Sequence, residues 1–186
     1  MKPKILFLLF CFTGFPQIFS QNNTGSSYEL GVGIVSQQAL KLYCENGIGV
    51  DFAGDFLLNR HLHVKLSYVT SRLGSALGSN AIKQDSYLFG LDWRFRTEKA
   101  FQLFAGISTG YFMADYEESI FNSLPSKSVM IAPEFGLIYK FQIPVSVGLT
   151  GGYNVINGNG INVPGTLFPI YGRLSVMYDL SKLFSK

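Results

Sequence analysis

Large apolar residues alternate with small or charged ones along most of the chain. In the stretch YLFGLDWRFR, Tyr87, Phe89, Leu91, Trp93 and Phe95 share one parity, and Leu88, Gly90, Asp92, Arg94 and Arg96 share the other. Strand side chains point to opposite faces with period two, so one face here is wholly apolar and the other carries three charges. The pattern recurs eight times, over approximately 28–35, 47–56, 61–70, 85–95, 100–113, 128–141, 144–154 and 168–180. Each segment suits a tilted membrane strand of about 9–11 residues, the first only marginally. No heptad run, Rossmann-like glycine motif or repeat of solenoid length interrupts the series.

The connections predict how the strands are joined. Leu57-Leu58-Asn59-Arg60, Arg96-Thr97-Glu98-Lys99 and Gln142-Ile143-Pro144 read as tight turns. The other four, 36–46, 71–84, 114–127 and 155–167, read as long loops rich in polar residues, Gly and Pro. Short and long then alternate strictly, which puts all tight turns at one end of the sheet and all long loops at the other. Membrane barrels have this asymmetry, with short periplasmic turns and longer extracellular loops.

Alternation alone does not say which face is interior. A lipocalin-like barrel also has eight strands, with an apolar cavity. Size separates the two readings. The apolar parity includes Tyr28, Leu30, Val32, Ile34, Phe101, Leu103, Ile107, Tyr111, Ile131, Phe135, Leu137, Tyr139 and Phe141. An eight-stranded barrel has room for only a modest number of interior side chains, so the apolar set must point outward, into lipid. The opposite parity carries glycines, among them Gly31, Gly49, Gly90, Gly136, Gly152 and Gly172, with Glu29, Asp51, Asp55, Lys65, Asp92, Arg94, Glu134, Lys140, Arg173 and Asp179. Unpaired buried charge is costly, so these ten are expected to form ion pairs that plug the lumen. Outward aromatics fall at both strand ends. Tyr68, Tyr87, Tyr111 and Tyr153 lie toward the long loops. Tyr28, Phe56, Trp93, Phe95, Phe101, Tyr139, Phe141 and Tyr178 lie toward the short turns. Two such belts predict interfacial girdles.

Composition sharpens the membrane reading. Charged residues make up 15% of the 186, well under the roughly 25% of soluble domains. At the N-terminus, Lys2 and Lys4 precede the apolar run Ile5–Phe12, and Ser20 is small enough to precede a cut. The run is too short to span a bilayer as a helix, so residues 1–20 are expected to be a signal peptide and 21–186 one barrel domain. A lipoprotein signal on Cys11 is the rival, disfavoured because Phe10 stands where a small residue is needed. Removing residues 1–20 takes two of the 15 basic residues and none of the 12 acidic, leaving a net charge of +1 and no case for nucleic acid. Cys44 remains as a lone thiol, expected in a loop.

The pattern resembles the small eight-stranded outer-membrane barrels of Gram-negative bacteria, the OmpA-transmembrane-domain or OmpX-like architecture, over residues 28–180. The terminal YGRLSVMYDL, with Val176, Tyr178 and Leu180 alternating outward, is similar to the C-terminal insertion signal of such barrels, although SKLFSK follows where the family usually ends on an aromatic. The resemblance implies an all-β, eight-stranded antiparallel up-and-down transmembrane β-barrel, integral to the outer membrane, surrounded by its lipid and assembled by the barrel-folding machinery. It leaves function open, because this fold carries structural, adhesive and enzymatic proteins.

Candidate chemistry is sparse. His61 and His63 are expected on the inward face, where Asp51 or Asp55 could join them around a metal, but a catalytic zinc usually needs three protein ligands. Lipid A deacylases share the eight-stranded fold and carry a Ser-His-acid set on the outer surface. No lipid-facing Ser and acid accompany the histidines here. Aqueous channels come with 16 or more strands, so at most a narrow solute path is expected. No cofactor motif is present. Ile120, Phe121 and Leu124 in the loop 114–127 are candidate contacts for an extracellular partner. The expected role is non-enzymatic, structural or surface-interacting; the alternatives are a lipid-modifying enzyme or a narrow channel.

Overall fold

A computed structural model of the chain describes residues 27–39, 43–55, 60–72, 82–116, 126–156 and 170–181. Among these the strands are β1 (Tyr28–Ala39), β2 (Tyr43–Asp55), β3 (Leu62–Thr70), β4 (Ile82–Phe95), β5 (Phe101–Tyr116), β6 (Lys127–Lys140), β7 (Val145–Tyr153), β8 (Val155–Ile156) and β9 (Ile170–Asp179). Each is antiparallel to its neighbours. The order β5-β4-β3-β2-β1-β9-β7-β6 closes on itself through β5–β6 pairing. Closure leaves no open edge, the condition for a sheet to sit in lipid.

β7 and β8 form one stave. Both pair with β6, in one continuous register running from Lys140↔Ser146 to Met130↔Ile156. The break at Asn154 lies opposite Ala132, next to Pro133. Lys140 donates its N–H to Ala100 of the β5 side, at 2.8 Å, so odd residues of β6 direct their backbone groups toward β7 and β8. Pro133 is one of these, and it has no N–H to give. The barrel therefore has eight staves built from nine strand segments.

Two features of the connections differ from expectation. β1 and β2 pair all the way from Tyr28↔Gly54 to Ala39↔Tyr43, so only residues 40–42 separate them. The expected long loop 36–46 is instead a protruding hairpin, and Cys44 belongs to β2 rather than to a loop. Strict alternation of short and long connections thus fails at the first one. β4 and β5 also run further than expected, to the pair Ile82↔Tyr116. Residues 73–81, 117–125 and 157–169 lie outside the described residues, and with them Ile120, Phe121 and Leu124. Phe56 and residues 1–26 lie outside them too.

At the opposite end the two turns among the described residues, after β4 and after β6, are tight. Lys99 N–H donates to Arg96 O at 2.9 Å, and Phe141 N–H to Val145 O at 3.1 Å. Arg60 and Arg96 adopt left-handed backbone, with φ of 62° and 55°. A side chain in that region costs roughly 1–3 kcal/mol, which Gly or Asn largely avoids. The ends of the sheet meet here as well. Leu180 N–H donates to Tyr28 O at 2.7 Å, and Asp179 N–H to Pro144 O at 2.9 Å.

Candidate functional site

The two walls of the barrel have inverted polarity. Large hydrophobic side chains stand exposed on the outside, including Val32, Ile34, Leu66, Phe89, Leu103, Ile131, Leu174 and Val176, with Phe135 at 69%. Of the aromatics expected in girdles, Tyr87, Trp93, Phe95, Tyr111, Tyr139 and Tyr153 are exposed, and Tyr28, Tyr68 and Tyr178 are half-buried. Tyr68, Tyr87 and Tyr111 lie in one register row across β3, β4 and β5, with the first two rings 5.1 Å apart. At the turn end Tyr139 meets Phe141 edge-on at 5.0 Å. Gly172 corrects the expected parity: it faces outward beside Tyr171, and nothing lies within 4 Å of where its Cβ would stand.

The interior holds the charges. Eight of the ten expected inward charges make three clusters. Arg94 donates both Nη atoms to Glu29, at 2.9 and 2.6 Å, and Lys140 approaches the same carboxylate at 3.6 Å. Lys65 bridges Asp92, at 3.2 Å, and Glu134. Arg173 pairs with Asp51, which also accepts the Ser67 hydroxyl at 2.5 Å. The remaining two do not join. Asp55 accepts the Ser27 N–H at 2.5 Å, and Asp179 accepts the Ser181 N–H at 3.0 Å, so both tie down chain ends.

Small residues make this filling possible. Tyr171 lies across Gly152 on the neighbouring stave, and a Cβ on Gly152 would sit 2.5 Å from its ring. From there the Tyr171 hydroxyl donates to Glu134 at 3.0 Å, and the Ser108 hydroxyl donates to the same carboxylate at 2.7 Å. Phe104 likewise lies over Gly136. Two small cavities lie within this filling. One cavity of about 30 Å³ lies among Glu29, Lys65, Asp92 and Met177, and another of about 20 Å³ among Gln37, Val69, Met130 and Tyr171. Each has room for about one water. Arg173 lines both.

The histidines separate. His63 points inward and is buried, with Nε2 3.2 Å from Arg60 O. His61 does not share its face. It stacks on outward-facing Trp93, with ring centroids 5.5 Å apart, and its Nδ1 meets Arg94 O at 2.8 Å. Sequence parity failed for His61 because it precedes the strand, in the turn. No group of three or more metal-ligating side chains occurs among the described residues.

Two groups escaped sequence reading. Tyr171 has the same parity as Arg173, and that spacing would have placed it inward. The second is a polar collar on the outer wall beyond the tyrosine row. There Arg72 bonds Asp85 and Asp115, each at 2.6 Å, and the Tyr68 hydroxyl donates to Asp85 at 2.8 Å. The two carboxylates push the Arg72 guanidinium pKa up. Its members come from three staves, so no local pattern announces it.

No protein-family model matches the chain, and no curated protein does either. Solved structures do. Neisserial surface protein A superposes with a TM-score of 0.55 at 16% identity, covering 83% of this chain and 97% of that one. The outer membrane protein OprG of Pseudomonas aeruginosa gives 0.55 at 17%, covering 83% and 95%. At such identities the likeness is one of fold. The chain has the fold of the small eight-stranded outer-membrane β-barrels.

Proposed function

We propose that the chain is an integral outer-membrane barrel with a non-enzymatic, structural or surface-interacting role. The observation that carries this reading is the inverted polarity: rows of exposed Leu, Ile, Val and Phe outside, paired charges inside. Water cannot cover that exterior favourably, and lipid can. On this reading residues 1–20 are a cleaved signal peptide and 21–186 the barrel. The tight turns and both ends of the sheet face the periplasm, and the aromatic belts anchor the barrel at the two interfaces. The barrel-folding machinery inserts it. Residues 117–125, with Ile120, Phe121 and Leu124, then face outward toward any extracellular partner.

The filled interior supports a plug rather than a pore. Asp51–Arg173 and Lys65–Glu134–Tyr171 fill the space between two water-sized cavities. No cofactor or nucleic acid enters this reading. The mature chain, refolded in detergent, is expected to migrate faster on an SDS gel unboiled than boiled, and to leave planar bilayers without solute-sized conductance. Solubility without detergent and no heat shift would overturn the membrane assignment. Stable conductance steps would replace the plug with a narrow channel.

A further inference from the structure

All five arginines of the chain lie among the described residues, and they divide sharply. Arg72, Arg94 and Arg173 each bond a carboxylate. Arg60 and Arg96 are exposed, and neither guanidinium forms an ion pair or side-chain hydrogen bond among the described residues. These same two occupy left-handed backbone, where Gly or Asn would sit more easily. Two strained positions at one rim both carry arginine.

Their backbones are held side by side. Arg94 N–H donates to His61 O at 2.7 Å, and His61 Nδ1 meets Arg94 O at 2.8 Å. Trp93, paired with Leu62 just inside the turn, faces outward with His61 stacked on it. Arg96 directly follows outward Phe95, so the arginines sit just past the last apolar side chains of the wall. Tryptophan prefers the headgroup level of a bilayer, and a planar guanidinium binds phosphate through two parallel N–H bonds. The nearby acids leave the cations available. Asp55 lies in the field of Arg60 but is bonded to Ser27 N–H, and Glu98 is exposed in the Arg96 turn with no ion pair among the described residues.

We infer that Arg60 and Arg96, on the turn side of Trp93, form a site for the phosphate of an anionic phospholipid in the inner leaflet. The inference rests on the membrane reading above, with the turn end toward the periplasm.

Trp93 is the chain's sole tryptophan, so its emission reports this site. The mature chain is refolded into phosphatidylcholine vesicles holding a small mole fraction of phosphatidylglycerol brominated on its acyl chains. Quenching is expected to exceed that by brominated phosphatidylcholine at the same fraction about threefold at low salt, and to fall as salt rises. Arg60→Asn with Arg96→Asn, a residue tolerant of this backbone, brings the two lipids to parity. Arg60→Lys with Arg96→Lys retains roughly half of the excess, because the charge stays and the fork is lost. Parity in the native chain, or an excess that survives the asparagine pair, would overturn the site. So would loss of the excess on adding inorganic phosphate, which would assign the arginines to a soluble anion. Failure of the membrane reading shows separately: in vesicles made wholly of brominated phosphatidylcholine, Trp93 would then stay unquenched.

Discussion

The lumen is built differently at its two ends. Toward the tight turns and through the middle it is a lattice of formal charges: Glu29 with Arg94 and Lys140, Lys65 with Asp92 and Glu134, Asp51 with Arg173. Toward the far end it is filled mainly by Phe112, Ala114, Met130, Ile156 and neutral amides, with the Glu45 carboxylate buried among them. There the side-chain Nε2 of Gln37 and both amide atoms of Gln84 are buried without a hydrogen-bond partner among the described residues. Charges demand a particular partner at a particular distance. Bulk and amides demand only volume, within wide limits. One half should therefore be intolerant of single changes and the other forgiving.

The largest effect is expected at Glu29. Glu29→Ala strands the buried Arg94 and should destabilise the barrel by about 3–5 kcal/mol, read from the urea midpoint in lipid vesicles. Adding Arg94→Met should restore most of that loss. If it does not, the pair matters for more than mutual neutralisation. Next comes Gly152→Val, which drives a side chain into the Tyr171 ring and should cost about 1–3 kcal/mol by the same measurement. Arg72→Ala on the outer collar should cost about 0.2–1 kcal/mol, and less as salt rises, since the Arg72 side chain is 40% exposed. Smallest of all is Gln84→Met in the amide-rich half. It removes two unsatisfied atoms, and stability should stay within about 1 kcal/mol of native or rise. A loss at Gln84 as large as that at Glu29 would erase the distinction between the halves.

How much of this was legible in the sequence follows the same division. Period-two contrast located every stave and its parity wherever one side met large apolar residues, as in YLFGLDWRFR. It failed where that contrast fades. Ser36, Gln38 and Asn46 are polar on the outer parity, so nothing in composition separated strand from loop, yet the hydrogen-bond ladder continues to Ala39↔Tyr43. The same holds for β5, where Asp115 lies outward beyond the tyrosine row. Gly172 adjoins inward Arg173, so period two itself puts it outward; only its small size had suggested the lumen. The inward set could be named residue by residue, but its partners could not. Glu29 and Arg94 are 65 positions apart and meet across the lumen, a distance fixed only when the barrel closes.

That closure makes the chain's beginning arbitrary. Glu29 faces Asp179 across β1 and β9 in a register as regular as that of any sequential pair, and Tyr28 and Leu180 are hydrogen-bonded neighbours. The ring of staves has no privileged seam. A circular permutant that joins Leu180 to Ser27 through a short linker and opens at residues 40–42 would present the same eight staves in rotated order. Its heat shift on SDS gels should match that of the native order.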